Sequence, residues 1–364
     1  MKRISISILL LALMLCATKA QTTFSVMTLN VDGLPGKFLF FDINDDGPQS
    51  AGSERISQYI AGRDCDIVSM QECFNYRWEI WSRLFAGYEH DEWTGGIDSE
   101  THKLDYFHLQ NERFPCDGLN CAWKKTVKST AYERVAHEQN FGKFSHEFDD
   151  IITKGFRRHE FTLTDGTEVV FYNTHFDASS ERDEQIGNDT KDREARRAQW
   201  LQLQEHVLTH LDSRPVIITG DFNSYYHRDD IVNTFIQPIQ ATGRATVGDA
   251  WIEHCRDGVY PQLGDESDPD EMLDKILYVN PIGGMAVKPV DVTIDIAGYQ
   301  YDNKPLGDHY PLIATFTIET GNTSGINNSQ QPAANGQWFD LQGRRVDNTS
   351  TGLYIQDGLK VIIK

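Results

Sequence analysis

The apolar run Pro215-Val216-Ile217-Ile218-Thr219 stops abruptly at Gly220-Asp221-Phe222-Asn223. A short continuous apolar run bounded by turn residues reads as a strand buried on both faces. Such a strand must be covered from both sides, so the chain needs layers of helix or sheet above and below it. Four further polar fragments stand where other strand patterns stop or begin. They are Asn30 after Phe24-Ser25-Val26-Met27-Thr28-Leu29, Gln71-Glu72 after Asp66-Ile67-Val68-Ser69-Met70, Asn173-Thr174-His175 after Glu168 to Tyr172, and Gly307-Asp308-His309 before Tyr310 to Ile318. Polar groups collected at the ends of buried strands are where layered α/β folds place a site.

Between these strands the spacing predicts helices. Glu54 to Ala61 has Ile56, Tyr59 and Ile60 at helical intervals, Arg77 to Phe85 turns Trp78, Trp81, Leu84 and Phe85 inward, and Asp192 to Leu211 turns Trp200, Leu201, Leu203, Val207, Leu208 and Leu211 inward. Phe161 to Leu163, the turn Asp165-Gly166 and Glu168 to Thr174 predict a hairpin. Leu273 to Val279 predicts another strand, and residues 89–150 carry no clear period. Residues 21–320 thus read as one alternating α/β domain. Gly321 to Gly336 has almost nothing to bury and reads as a flexible linker, and residues 337–364 read as a short β module with a turn at Asp357-Gly358.

The first twenty residues have a basic start, an apolar stretch from Ile4 to Cys16 and small residues up to Ala20, the pattern of a cleaved secretory signal. The expected address is secreted, periplasmic or cell-surface, in a bacterium. Without the leader, five cysteines remain, and Cys116 and Cys121 are spaced to close a small loop disulfide in an oxidising compartment. No Cys/His cluster suggests zinc. The net charge is -20, which disfavours a protein that grips nucleic acid through a broad basic surface. A bound divalent cation would add local positive charge, so a nuclease is not excluded.

The strand-end groups match the needs of phosphoester hydrolysis: a cation that withdraws charge, a base for water, and fixed donors for the phosphate oxygens. Asn30, Glu72 and Asp308 are oxygen donors suited to Mg²⁺, Mn²⁺ or Ca²⁺. His175 is a candidate phosphate contact, Asn223 a contact for phosphate or metal, Asp221 a water-positioning carboxylate, His309 a base and Asp274 the group that orients it. Each has a bland counterpart. Asn30 and Asp221-Phe222-Asn223 serve equally as turn residues, Glu72 as a helix-start acid, His175 as a core histidine, and Asp274 as a surface acid paired with Lys275.

The ordered set Thr28-Leu29-Asn30, Gln71-Glu72, Asn173-Thr174-His175, Gly220-Asp221-Phe222-Asn223, Leu273-Asp274-Lys275-Ile276 and Gly307-Asp308-His309 resembles the endonuclease/exonuclease/phosphatase superfamily over about residues 24–318. The resemblance implies a four-layer α/β sandwich, two packed mixed β-sheets flanked by helices, with a divalent-metal site at one edge. It implies metal held by Glu72 and Asn30, phosphate by His175 and Asn223, water handled by Asp221 and His309, and no covalent intermediate. Within that superfamily, Thr174-His175-Phe176-Asp177-Ala178, the arginines Arg196 and Arg197, and Asp308-His309-Tyr310-Pro311 resemble secreted bacterial neutral sphingomyelinases. The implied substrate is a phospholipid met in transient contact with a membrane surface, with nucleic acid or inositol and sugar phosphates as alternatives. Asn120 to Lys125 is less apolar than the matching stretch in that group, and no aromatic hairpin for membrane insertion stands late in the domain. Gly36 to Phe41 reads as a packing loop, with a lipid-touching loop as the alternative. Ser179 to Arg197 reads as a solvated loop and helix start, with Arg193, Arg196 and Arg197 as further candidates for phosphate. The oligomeric state is not legible.

Overall fold

The computed structural model describes residues 22–319 except 39–40, 43, 45, 92–115, 143–148, 150–151, 153, 180–188, 266 and 268–271. It also describes the backbone of four strands between 338 and 363. The leader, the linker and most of the loop after residue 91 lie outside the described residues, as do the side chains of 37–43.

Twelve strands build two sheets. They are β1 (Thr23–Asn30), β2 (Ile67–Gln71), β3 (Tyr88–His90), β4 (Asn120–Lys124), β5 (Lys128–Ala136), β6 (Gly155–Thr162), β7 (Glu168–His175), β8 (Val216–Asp221), β9 (Ala245–Asp249), β10 (Asp274–Pro281), β11 (Ala286–Ile294) and β12 (Leu312–Glu319). One six-stranded sheet has the order β11-β12-β1-β2-β4-β3, and the other β9-β10-β8-β7-β6-β5. Both are mixed: β1 and β2 are parallel, as are β7 and β8, and the remaining pairings are antiparallel. The helices are α1 (Gln49–Arg63), α2 (Arg77–Trp81), α3 (Thr190–Thr209), α4 (Gln237–Ala241) and α5 (Ala250–Cys255), with a π-helical turn at Val232–Ile236. The architecture is the expected α/β sandwich of two packed mixed sheets flanked by helices.

Every residue of β2 and of β8 is buried, as strands covered on both faces must be. The larger core cluster joins Phe24, Val26 and Phe316 of the first sheet to Phe171, Ile217 and Ile276 of the second, and extends under α3 through Trp200, Leu203 and Val207. Fully burying one such side chain stabilises the fold by about 1.5–3 kcal/mol. A smaller cluster packs α1 on the outer face of the first sheet through Ile56 and Ile60 against Met27, Leu29, Val68 and Met70.

Polar side chains also fasten one sheet to the other. Gln71 Nε2 donates to Asn173 Oδ1 at 2.7 Å, and Asn173 Nδ2 donates to the carbonyls of Met70 and Asn120 at 3.1 and 3.0 Å. All lie in the buried interior, where unpaired groups would cost about 1–3 kcal/mol each. A second buried network surrounds Arg157 of β6. Its Nη1 is 2.9 Å from Asp91, its Nε and Nη2 both donate to Asp117 at 2.9 Å, and Arg134 Nε also reaches Asp117, at 2.7 Å.

Several sequence expectations are corrected. The helix from Arg77 ends at Trp81, and Phe85, expected inside, is exposed. Leu201 on α3 is likewise exposed, because the buried stripe runs through Trp200, Leu203 and Val207. Residues 89–150, without a legible period, contain β4 and β5. β5 is an edge strand with mostly exposed side chains, so no apolar alternation marks it. Cys116 and Cys121 are not bonded. Cys121 faces the inter-sheet core, while Cys116 packs with Phe74 and Ile152, so the two thiols belong to different clusters.

The described residues up to 319 and the strands between 338 and 363 belong to two separate compact units. In the second, strands Trp338–Phe339, Arg345–Val346, Gly352–Gln356 and Leu359–Ile363 make an antiparallel four-stranded sheet. No helix among the described residues is long and apolar enough to cross a membrane.

Candidate active site

Strand register assembles the centre. β8 lies between β7 and β10 with Asp221 level with His175 on one side and Asp274 on the other. In the other sheet Asn30 is level with Gln71, so Glu72 stands one residue past the strand end. Asn30 then reaches across: its Nδ2 donates to Glu72 Oε1 at 3.0 Å and to Asp221 Oδ2 at 3.1 Å, while its Oδ1 accepts from the Asp32 amide at 3.0 Å. The amide is therefore spent on positioning two carboxylates that belong to different sheets.

Three residues of the centre hold left-handed backbone, Asp32 at φ 49°, Glu72 at φ 52° and Asn223 at φ 48°. Such conformations in non-glycine residues cost on the order of 1 kcal/mol or more and persist where the surroundings over-determine them. Here they turn the chain just after the strand ends and aim the side chains inward. Gly220 is required next to Asp221, because a Cβ there would run into the Thr174 carbonyl. Phe222 anchors the segment from below, stacked on Trp200 with ring centroids 4.6 Å apart.

His309 stands between two carboxylates. Its Nδ1 is 2.6 Å from Asp274 Oδ2, a hydrogen bond, and its Nε2 is 3.7 Å from Asp221 Oδ2. Although burial works against it, Asp274 and then Asp221 hold the imidazolium pKa well above the ordinary histidine range. Asp221 is also buried, but His309, His175 and the Asn30 donor hold its carboxyl below the usual value. These directions favour a protonated ring beside an ionised Asp221, while burial raises the carboxyl of Asp274. Lys275, the surface partner imagined for Asp274, instead sends its Nζ to the Met272 carbonyl and over the Tyr226 ring.

His175 is buried, with Nε2 3.6 Å from Asp221 Oδ2, and burial followed by Lys154 depresses its pKa well below the ordinary value. That direction favours the neutral imidazole, which would act through an N–H. Asn223 donates its backbone N–H to Asp221 Oδ1 at 2.9 Å and its Nδ2 to the Phe176 carbonyl at 3.0 Å, which leaves Oδ1 of its amide as an acceptor.

Beside this arrangement lie Glu72, the exposed Asp308, and Asp32, a buried acid that sequence reasoning passed over. Burial first, and the charge of Asp308 second, push Glu72 up to about 8 and Asp32 up to about 7. Carboxyls raised this way are short of positive charge. Their oxygens are the donor type that hard divalent cations take, so Asp32, Glu72 and Asp308 fit Mg²⁺, Mn²⁺ or Ca²⁺. Asp221, Asp274 and His309 also gather donor atoms within 4.8 Å. That group is better explained as a histidine held by two acids, because a cation there would displace the short Nδ1–H bond to Asp274. The signal for Asp32 was present in the sequence as an acid two residues beyond Asn30 and next to Gly33, whose own N–H donates to the Glu72 carbonyl.

The arginines do not join the centre. Arg196 is buried against Asp229, the Asp177 carbonyl and Ser179. Arg193 and Arg197 line a cleft of about 460 Å³ at the start of α3, which none of the eight expected site residues lines.

The family model described as Endonuclease/Exonuclease/phosphatase family matches residues 27–280. Among characterised proteins, the sphingomyelinases of Mycobacterium tuberculosis (strain H37Rv) and Mycobacterium bovis are each 27% identical over 191 residues, 48% of this chain and 33% of theirs. The chain thus matches about a third of the length of these relatives. Among solved structures, a D. rerio TDP2 humanized by 14 mutations aligns over 81% of this chain and 98% of its own, with TM-score 0.53 and 17% identity. D. rerio TDP2 complexed with single strand DNA product aligns over 81% and 99%, with TM-score 0.52 and 16% identity. An endonuclease/exonuclease/phosphatase from Bacteroides vulgatus aligns over 82% and 100%, with TM-score 0.52 and 19% identity. At these identities the likeness to the solved structures is one of fold.

Proposed function

This chain belongs to the endonuclease/exonuclease/phosphatase family, and we propose that it hydrolyses a phosphodiester with the help of a divalent cation, its substrate being a phospholipid whose phosphorylated head group is released. The observation that carries the reading is the meeting of Asn30, Glu72 and Asp221 from two sheets with the Asp274–His309 pair beside the acids Asp32 and Asp308.

In this mechanism Asp221, ionised and aimed by Asn30, holds the attacking water and accepts its proton. In this reading the proton-accepting role expected for His309 passes to Asp221, because the flanking carboxylates favour the protonated ring. His309 instead offers its Nε2–H to the negative charge that grows on the phosphoryl group and its leaving oxygen. Asp274 keeps the ring in the form that can do so. His175 donates a neutral N–H to a phosphate oxygen, and Asn223 fixes the Asp221 carboxylate through its backbone N–H. A cation held by Asp32, Glu72 and Asp308 would withdraw charge from the phosphate when bound. The water oxygen bonds to phosphorus as Asp221 takes its proton, the ester P–O bond breaks, and the departing oxygen takes the Nε2 proton of His309 and leaves as an alcohol; the proton on Asp221 then returns to the ring.

The lipid reading is supported by the sphingomyelinase relatives and by the net charge of -20, which repels a polyanion outside the reach of a bound cation. Its rival is a nuclease, favoured by the DNA product bound to a protein of the same fold. Purified protein should be offered sphingomyelin vesicles, lysophospholipid, plasmid DNA and inositol phosphates, each with Mg²⁺ and with chelator. Head-group release from sphingomyelin, abolished by chelator, is expected. Faster cleavage of DNA than of any lipid would overturn the substrate, and activity indifferent to chelator would overturn the cation.

A further inference from the structure

We propose a second metal site, for Zn²⁺ or a similar transition-metal ion, formed by Glu133, His206 and His210 and independent of the hydrolytic centre. His206 lies in the last turn of α3, and His210 caps that helix one turn later. Glu133 projects from edge strand β5. One donor atom from each of the three lies within 4.8 Å of the others.

The hydrogen bonds of the two rings decide which nitrogens remain for a ligand. His210 Nδ1 is 2.9 Å from the His206 carbonyl, an acceptor, so Nδ1 carries the proton and Nε2 is left with its lone pair. His206 Nδ1 is 3.0 Å from the Tyr172 hydroxyl, which can accept its proton. Its Nε2 is buried and lies 3.4 Å from Glu133 Oε2, its one partner. Two donors about 2.05 Å from one tetrahedral zinc are about 3.3 Å apart, so this spacing is already that of two ligands on one ion. The rings themselves are stacked with centroids 4.2 Å apart. Burial, and then His210, lower the His206 pKa, which favours the neutral ring a metal requires. The nearby Arg158 cation is occupied by Glu160 at 2.5 Å.

Two imidazoles and a carboxylate make a borderline-soft set that selects zinc over Mg²⁺. Orientation of His206 by Tyr172 and of His210 by a backbone carbonyl is the outer-shell support such sites use. Glu133 and His210 are exposed, which leaves the fourth tetrahedral position to water. Bound there, the ion would tie the end of α3 to the outermost strand of its sheet. Without it, the same three groups are a helix-terminal histidine pair near a surface acid.

The test is a Zn²⁺ titration of the full chain under excess Mg²⁺, which keeps the hydrolytic centre filled. Wild type, His210→Gln and Glu133→Gln are compared by equilibrium dialysis, thermal unfolding and Co²⁺ absorption. Wild type should bind one more Zn²⁺ than either variant, gain Tm with Zn²⁺ where the variants do not, and show the intense visible bands of tetrahedral Co²⁺. Affinity in each variant should fall by more than the roughly 10–100-fold that an outer-shell change costs. Both variants should keep wild-type Mg²⁺-dependent turnover, which shows that they fold and separates this site from the hydrolytic one. Equal Zn²⁺ stoichiometry and equal Tm gain in all three proteins would overturn the proposal.

Discussion

Replacing Asp274 by Asn tests the charge logic of the centre. The side chain keeps its shape but loses the carboxylate that sits 2.6 Å from His309 Nδ1. Two unit charges about 4 Å apart interact by about 4 kcal/mol at an effective dielectric of about 20. At 1.36 kcal/mol per unit that is about three pKa units. His309 keeps Asp221 at 3.7 Å and its side chain is 16% exposed, so part of the loss is screened. A fall of roughly one to three units follows for the His309 pKa. Its folded-state pKa stands well above the ordinary value. If the protonated ring is the acting form, activity is present below that pKa and lost as pH rises through it. Asp274→Asn should therefore move the alkaline limb of kcat/KM to lower pH by about one to three units, and lower kcat by roughly 10²–10⁴. The double variant with His309→Ala should be little slower than His309→Ala alone, since the two groups act as a unit. The assay is a pH–rate profile at saturating Mg²⁺. An alkaline limb that does not move, or a limb that moves upward, would refute the reasoning.

Asp32→Asn and Glu72→Gln should each raise the Mg²⁺ concentration for half-maximal activity by at least about 10–100-fold, and an unchanged Mg²⁺ titration of Asp32→Asn would remove that residue from the cation site. His137 is buried edge-on against Phe176, and burial depresses its pKa from 6.5 to about 3. The unfolded chain binds this proton first on acidification, so the stability it contributes is full above about 6.5 and is lost as pH falls towards about 3. His137→Phe should flatten the pH dependence of urea-unfolding stability in that window by up to about 1.4 kcal/mol per pH unit, and parallel curves would contradict this. Arg157→Met leaves Asp91 and Asp117 buried without their shared cation, and should cost about 3–5 kcal/mol in urea unfolding, against well under 1 kcal/mol expected for an exposed pair.

What the sequence revealed follows burial. β1, β2, β7 and β8 announced themselves because both their faces are covered, and the polar residues at their ends stood out against apolar runs. The same logic hid β5, whose side chains face water, and the first part of β6, whose Arg157, Arg158 and His159 look like surface residues until Asp91, Asp117 and Glu160 are seen beside them. The eight expected site residues all come from strand ends or the turns next to them. Asp32 escaped because it sits past the strand in a left-handed turn, where sequence offers no period to follow. Asn30 was legible as a site residue, and its three hydrogen bonds add that its amide orients neighbours from both sheets. Phe85 and Leu201 were misplaced because helix ends and stripe edges are set by the neighbouring layer, which periodicity does not contain.

The Gln71–Asn173 clasp bears on how the enzyme can move. Sliding one sheet past the other by a single residue would strand an amide pair and two backbone carbonyls in oil, a penalty of several kcal/mol with nothing to offset it. Groups of the centre borrowed from both halves are therefore held in one fixed alignment.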